Sequence, residues 1–169
     1  DQLGGGFARY STDERWHVPH FEKMLYDNAQ LLLNYAEAWQ LGRDPLFAET
    51  ARDIAAYVLR DLRAPEGAFY SAEDADSVPP EGRKAGGHGG KTEGAFYAWS
   101  AAEIEAVLGA DLAALFNGSY GVEPDGNVQS DPHNEFPGLN VLYDRRGSLA
   151  SETGGASDLT PEALSVRLA

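Results

Sequence analysis

The stretch from Trp16 to Gln30 reads WHVPHFEKMLYDNAQ, and the interpretation of the whole chain depends on it. It places two histidines, a lysine and several carboxylate or carboxamide side chains at the entry to an otherwise apolar segment. An unpaired buried polar group costs about 1–3 kcal/mol, so these groups either line a wet cavity or join a buried network. Both interpretations predict a polar site at the start of a helix.

The segment from Pro19 to Leu41 is predicted to be that helix. Pro19 suits a first-turn position, and Gly42 suits the position after a helix end. Apolar residues occur all round the segment, which predicts a helix buried on most sides. One polar stripe, with spacings of three and four residues, is expected to share a face: His20, Lys23, Asp27, Gln30, Asn34 and Glu37.

The following segment, Pro45 to Leu62, carries a single apolar stripe and is predicted to be an amphipathic helix. A short turn joins it to the first helix, which predicts a helical hairpin over residues 19–62. The next expected elements are rim strands and a loop at 66–99, short helices at 100–117, and a loop and strand at 118–143. A linker at 144–159 and a helix cut short at 160–169 are expected to follow.

Two six-residue stretches, Glu66–Ser71 and Glu93–Ala98, are near copies that share the sequence EGAFY. Each is predicted to be a short aromatic strand entered by glycine. Ser100 and Glu103 have the spacing of a capping box, which predicts the start of a short helix that ends before Gly109.

Composition and charge exclude several classes of function. The chain has 169 residues, 43% of them hydrophobic, which is typical of a globular protein. Thirteen basic and 27 acidic residues give a net charge of −14, which disfavours nucleic acids and anionic membranes as partners. The absence of cysteine excludes disulfides and thiolate chemistry. No targeting or membrane-spanning segment is apparent, so a cytoplasmic protein is expected. The sequence starts without Met and ends in a segment typical of a helix cut short, so a piece of a longer protein is expected.

Five stretches carry a family likeness: Leu3–Tyr10 (LGGGFARY), Asp13–Ala29 (DERWHVPHFEKMLYDNA), Phe69–Ser77 (FYSAEDADS), Gly94–Trp99 (GAFYAW) and Gly138–Tyr143 (GLNVLY). Together they resemble the spermatogenesis-associated, thioredoxin-domain-containing family. One departure is Ala8, where the family pattern has histidine.

The resemblance implies a mainly α fold in which residues 1–169 form part of an (α/α)6 toroid of the six-hairpin glycosidase type. Short β-strands would lie at its rim. The toroid would be similar to that of N-acylglucosamine 2-epimerase, and a thioredoxin-like domain would be covalently adjacent in the full-length protein. The implied function is carbohydrate chemistry of the epimerase or glycosidase type. The alternative is a non-catalytic toroid that acts as a binding or scaffold module.

The candidate catalytic residues are His17, His20, Asp27, Glu73 and Asp74. A histidine titrates near neutral pH and suits proton transfer beside a sugar carbonyl, although both histidines could equally be structural. Asp27 could orient a histidine or bind a hydroxyl, or it could be a buried carboxylate paired with Lys23 or Arg9. Glu73 and Asp74 could supply paired carboxylates, or they could be solvated loop residues.

Further polar and aromatic side chains could bind a sugar or another small polar substrate: Arg9, Tyr10, Trp16, Glu22, Lys23, Tyr26, Asn34 and Tyr70. The aromatic residues could instead fill the core, and Glu22 could pair with Arg15 or Lys23. A metal site built from His17, His20 and Asp27 is not expected, because a third histidine at helical spacing is missing. No cofactor is predicted.

Overall fold

The computed structural model describes residues 1–81, 83, 90–129, 131 and 135–145. These residues form a helix-rich mixed fold with four α-helices and short strands. The chain divides into two compact units, Asp1–Tyr97 and a second unit that begins at Ala98. The linker expected after Arg145 and the helix expected at 160–169 lie outside the described residues.

A helical hairpin is the largest feature of the first unit. Helix α1 (Leu25–Gly42) packs against helix α2 (Pro45–Tyr57), and a π-helical turn continues α2 over Val58–Leu62. Asp44 caps α2 by accepting a hydrogen bond from the backbone N–H of Leu46 at 3.0 Å. The prediction of a second helix from Pro45 to Leu62 is therefore confirmed, with a change of helix type in its last turn.

The predicted start of the first helix at Pro19 is wrong, because α1 begins six residues later. Strand β1 (Tyr10–Ser11) pairs with β2 (Pro19–His20), and β3 (Lys23–Met24) pairs with β4 (Ala72–Glu73). In these antiparallel pairs the backbone of Pro19–His20 and Lys23–Met24 is extended, so it does not form a first helical turn. His20 and Lys23 therefore do not share a helix face with Asp27, as the polar stripe had predicted.

Helix α1 is also less buried than its composition predicts. Asn28 is its one fully buried residue, whereas Leu33 is 57% and Leu41 90% exposed. Apolar side chains distributed all round a helix cannot all face one neighbouring helix. Within the described residues, α1 therefore keeps apolar surface that α2 does not cover.

The two EGAFY copies do not form strands, contrary to the prediction. In the second copy, residues 94–97 form a turn between β6 (Thr92–Glu93) and β7 (Ala98–Trp99). Gly94 has φ +67°, a left-handed conformation that glycine adopts without strain and that reverses the chain here. In the first copy, Phe69 forms only an isolated bridge with Arg63. Strand β6 pairs with β5 (Asp76–Ser77), which brings Glu93 opposite Asp76.

The second unit contains helices α3 (Ala101–Leu108) and α4 (Ala110–Tyr120) and a strand pair of β7 with β8 (Asn140–Val141). The predicted capping box is confirmed, since Ser100 and Glu103 bond reciprocally at the start of α3. Ile104, Phe116 and Tyr120 form the core of this unit with Ala113. Every helix in the described part of the chain is too short or too polar to cross a lipid bilayer.

Candidate functional site

The β1–β2 pair positions the first group of candidate residues. Tyr10 and His20 are cross-strand partners, and their rings stack with centroids 4.8 Å apart and planes at 22°. Backbone pairing continues beyond the strands, where the N–H of Arg9 donates to the carbonyl of Glu22 at 3.0 Å. We call Arg9, Tyr10, His20, Glu22 and Glu93 the His20 cluster.

The imidazole of His20 lies between two carboxylates. Nδ1 lies 2.7 Å from Oε1 of Glu93, and Nε2 lies 3.7 Å from Oε2 of Glu22. The shorter distance is that of a hydrogen bond and the longer one is not. An ionised carboxylate accepts hydrogen bonds only, so Nδ1 carries the proton that it donates to Glu93. Nε2 is then the ring atom that can exchange a proton.

Glu22 is held by Arg9, whereas the sequence suggested a pairing with Arg15 or Lys23. Nη1 of Arg9 donates to Oε2 of Glu22 at 3.0 Å. This hydrogen bond raises the pKa of Arg9, and the negative charges of Glu22 and Asp27 raise it further. The pair is partly exposed, with 44% of the Arg9 side chain and 27% of the Glu22 side chain accessible to solvent. Solvent therefore reaches this side of His20.

Asp27 differs from these neighbours in lacking a partner for one oxygen. Its Oδ2 atom is buried and has no hydrogen bond within the described residues. Asp27 lies in the first turn of α1, where a negative charge interacts favourably with the helix dipole. An unsatisfied buried carboxylate oxygen is costly to the fold and is available to accept a hydrogen bond from a ligand hydroxyl.

Lys23 lies inside the protein, although the sequence suggested a role in binding substrate. It is 3% exposed, and its Nζ donates to Oδ2 of Asp1 at 2.8 Å and to the carbonyl of Gly5 at 2.9 Å. Nζ also lies 4.6 Å from the centre of the Tyr57 ring and 4.9 Å from that of Tyr97. Burial lowers the pKa of Lys23 to about 8, although Glu73 acts in the opposite direction.

Glu73 is a second carboxylate near Lys23, besides Asp1. It lies opposite Lys23 in the β3–β4 ladder, and its two oxygens accept hydrogen bonds from the hydroxyls of Tyr57, at 2.7 Å, and Tyr97. Burial is the main cause that raises the pKa of both tyrosines, and the hydrogen bonds to Glu73 add to it. We call Asp1, Lys23, Tyr57, Glu73 and Tyr97 the Lys23 cluster.

Phe21 joins the two clusters. Its ring is buried and stacks on Tyr97 with centroids 5.3 Å apart, while its backbone N–H points to Oε1 of Glu93 at 3.4 Å. Phe21 therefore contacts the His20 cluster through its backbone N–H and the Lys23 cluster through its ring.

The remaining predicted residues are dispersed. His17 lies half-buried in the loop between β1 and β2, and Asp74 forms an exposed pair with Lys91 at 3.1 Å. Asp74 and Glu73 thus make different contacts and do not act as a carboxylate pair around one partner. Four other candidates lie exposed at the surface: Trp16, Tyr26, Asn34 and Tyr70.

Sequence reasoning missed Asp1, Tyr57 and Glu93, and it considered Tyr97 only as one of several rings that could stack on a sugar. Glu93 and Tyr97 both belong to the second EGAFY copy, so the repetition was a usable signal that was interpreted only as strand pattern. Tyr57 belongs to no repeat, and in the sequence it is one of many side chains of an amphipathic helix. No group of three or more metal-binding side chains occurs within the ranges that the structure describes.

Comparison with known proteins gives a relationship over most of the chain. No family model matches. Spermatogenesis-associated protein 20 of Mus musculus is 46% identical over 156 residues, which are 86% of this chain and 19% of that protein. The protein of the same name from Homo sapiens is 46% identical over 153 residues, which are 84% of this chain and 19% of that protein.

An uncharacterized protein of Caenorhabditis elegans is 40% identical over 157 residues, which are 84% of this chain and 20% of that protein. The chain therefore spans only 19–20% of the length of these curated relatives. The similarity confirms the spermatogenesis-associated part of the expected resemblance. The names of these relatives state no reaction, substrate or partner.

Proposed function

We propose that the His20 cluster is the acid–base centre of a carbohydrate site, with chemistry of the sugar epimerase or glycosidase type. The observation that carries this proposal is the 2.7 Å contact between Nδ1 of His20 and Oε1 of Glu93. A carboxylate that accepts the Nδ1 proton holds the ring in one tautomer and directs the basic Nε2 atom toward a reactant.

The reaction assigned to His20 is proton transfer at Nε2. In an epimerisation, Nε2 would remove the proton from the carbon next to a sugar carbonyl and return a proton to the opposite face with the help of a second group. In glycoside cleavage, the protonated ring would donate to the leaving oxygen. Tyr10, stacked on the imidazole, keeps the ring plane fixed during either transfer.

Asp27 is the second functional group of this proposal. Its buried Oδ2 atom without a hydrogen-bond partner suits the binding of a sugar hydroxyl. Arg9, which is partly exposed and held by Glu22, would bind a further oxygen of the substrate. Glu73 and Lys23 would act indirectly, because their contacts are made with residues of the interior.

We further propose that the α1–α2 hairpin is one hairpin of an (α/α)6 toroid in a longer polypeptide, with a thioredoxin-like domain adjacent to it. The relatives, of which this chain matches 19–20%, are long enough for both. The apolar surface that α1 keeps at Leu33 and Leu41 would contact neighbouring hairpins of the ring.

The same exposed leucines favour a second candidate function, a binding or scaffold module without catalysis. Exposed apolar residues on a helix suit a contact with another protein. The two candidates differ in one measurable property, since only the first requires that a sugar react at His20.

The test uses the protein expressed from its complete reading frame. N-acetyl-D-glucosamine is incubated with the protein in deuterium oxide, and proton NMR follows epimerisation and deuterium incorporation at C2. A panel of nitrophenyl glycosides measures hydrolysis. His20→Asn is expected to lower the rate about 100-fold, because general acid–base catalysis contributes at least that much.

The matched control is Glu66→Gln, which changes an exposed carboxylate of the other EGAFY copy. It should leave the rate unchanged. Absence of turnover with every probe, in protein that is folded by circular dichroism, would overturn the catalytic proposal and favour the scaffold module.

A further inference from the structure

Trp16 is the most exposed aromatic residue of the site region, and it has an unusual backbone. Its side chain is 84% exposed, and its φ angle is +58°. Side chains larger than glycine rarely adopt this left-handed conformation, because the Cβ atom crowds the following carbonyl. Glycine or asparagine would fit the position with less strain.

The loop that carries Trp16 is held firmly. The carboxylate of Asp13 accepts hydrogen bonds from the backbone N–H groups of Arg15, at 2.7 Å, and His17, at 3.1 Å, and also from Val18. The hydroxyl of Thr12 closes the loop by donating to the carbonyl of Val18 at 2.9 Å. The indole is therefore presented by an ordered turn.

The strained backbone and the exposed ring of Trp16 both destabilise the described fold, and no contact of the ring that the structure shows offsets them. A residue held in a strained conformation persists when the surrounding structure imposes it, and such residues cluster at functional sites. The turn also connects β1 to β2, the two strands whose partners Tyr10 and His20 stack on each other. The exposed ring and the acid–base centre thus belong to the same hairpin.

We propose that Trp16, on the loop of the hairpin that carries His20, forms an aromatic subsite for a second pyranose ring of a disaccharide or oligosaccharide. This inference rests on the proposed function. The apolar C–H face of a pyranose stacks on an indole, while its hydroxyls remain directed to polar groups such as the guanidinium of Arg9. A monosaccharide bound at His20 would not need Trp16.

The experiment compares N-acetyl-D-glucosamine with its dimer, N,N′-diacetylchitobiose, as probes. Binding is followed on the indole N–H signals in nitrogen–proton NMR spectra, where Trp39 on α1 serves as an internal reference. The dimer should shift the Trp16 signal and bind about five- to tenfold more tightly than the monomer, as expected for one stacking contact.

The decisive variant is Trp16→Gly, which removes the ring and relieves the left-handed strain. Its melting temperature should equal or exceed that of the natural protein, so loss of binding cannot be ascribed to unfolding. The variant should bind the dimer only as tightly as the monomer. Trp16→Tyr, which keeps an aromatic ring, should retain part of the preference for the dimer.

Three results would overturn the subsite, and they separate it from the proposed function. If the monomer binds and the dimer binds no more tightly, the subsite is absent while the acid–base centre stands. If Trp16→Gly leaves both affinities unchanged, the indole is a contact for a protein partner instead. If neither sugar binds the natural protein, the proposed function fails and the subsite with it.

Discussion

His20 and Glu93 are 73 residues apart in sequence, yet Nδ1 of the histidine lies 2.7 Å from Oε1 of the glutamate. The contact joins β2 to β6, and Oε1 also lies 3.4 Å from the backbone nitrogen of Phe21. A single carboxylate oxygen therefore orients the imidazole and closes a long loop of the first unit. This relationship connects the stability of the fold to the chemistry of the candidate site.

Glu93→Ala is expected to lower the free energy of unfolding by about 1–2 kcal/mol, the usual contribution of a partly buried hydrogen bond to a charged group. Urea unfolding followed by circular dichroism measures the loss. Glu66→Ala, the equivalent change in the exposed first copy of the repeat, should stay within about 0.5 kcal/mol of the natural protein. Equal losses in both variants would contradict the role of Glu93.

The pH dependence of stability tests the burial of Lys23. Its pKa is lowered to about 8 in the folded protein, whereas the unfolded chain keeps the proton up to its ordinary value of 10.5. The unfolded state thus binds more protons between these values, so stability should rise with pH in that window, by about 3 kcal/mol from this group. Lys23→Met removes this rise.

The tyrosines of the Lys23 cluster have the opposite effect on stability, and they act at higher pH. The pKa values of Tyr57 and Tyr97 are raised in the folded protein, so the unfolded chain ionises first above pH 10 and stability falls. Urea unfolding of the natural protein and of Lys23→Met across this range measures both effects. Parallel curves for the two proteins below pH 10 would show that Lys23 keeps an ordinary pKa.

Tyr57→Phe and Tyr97→Phe each remove one hydroxyl that Glu73 accepts from. Each change is expected to cost about 1–2 kcal/mol, because the half-buried carboxylate of Glu73 loses one of its hydrogen bonds. Tyr70→Phe, at a tyrosine that is 54% exposed, is the matched control and should cost little. Chemical denaturation of the three variants gives the comparison, and equal small losses would refute the network.

Gly6→Ala tests the packing of the amino-terminal segment on α2. A Cβ atom at Gly6, which has φ +70°, would lie 2.3 Å from the Tyr57 ring, so we expect a loss of about 2 kcal/mol or more in the free energy of unfolding. Gly67 has φ +93°, but a Cβ atom there would meet no other atom within 4 Å, so Gly67→Ala should cost only about 1 kcal/mol of backbone strain. Similar losses in both would argue against the contact with Tyr57.

The starts of α2 and α3 were predictable from nearby residues. The apolar stripe that follows Pro45 predicted α2, and the Ser100–Glu103 box predicted α3, because each signal lies within the helix or at its first turn. The start of α1 could not be predicted in the same way. Pro19 and Lys23 belong to two-residue strands, and such strands exist only because of partners elsewhere in the chain.

The candidate site could be predicted only in part, because some of its residues lie close together in the sequence and others do not. His20 and Asp27 were identified because they stand within one unusual run of the sequence, and Tyr10 lies one strand away. Glu93 lies 73 residues from His20, and the same four residues follow Glu66, so the repeat marks both glutamates without showing which one meets His20. Only the pairing of β5 with β6 separates the two glutamates.

The most direct test of the central claim is nitrogen NMR of the His20 imidazole with and without N-acetyl-D-glucosamine. A proton on Nδ1, donated to Glu93, and a change in the Nε2 signal when the sugar binds are the expected results. Glu93→Ala should mix the tautomers. A ring protonated on Nε2 alone, or signals that the sugar does not change, would contradict the assignment of His20 as the proton-transferring group.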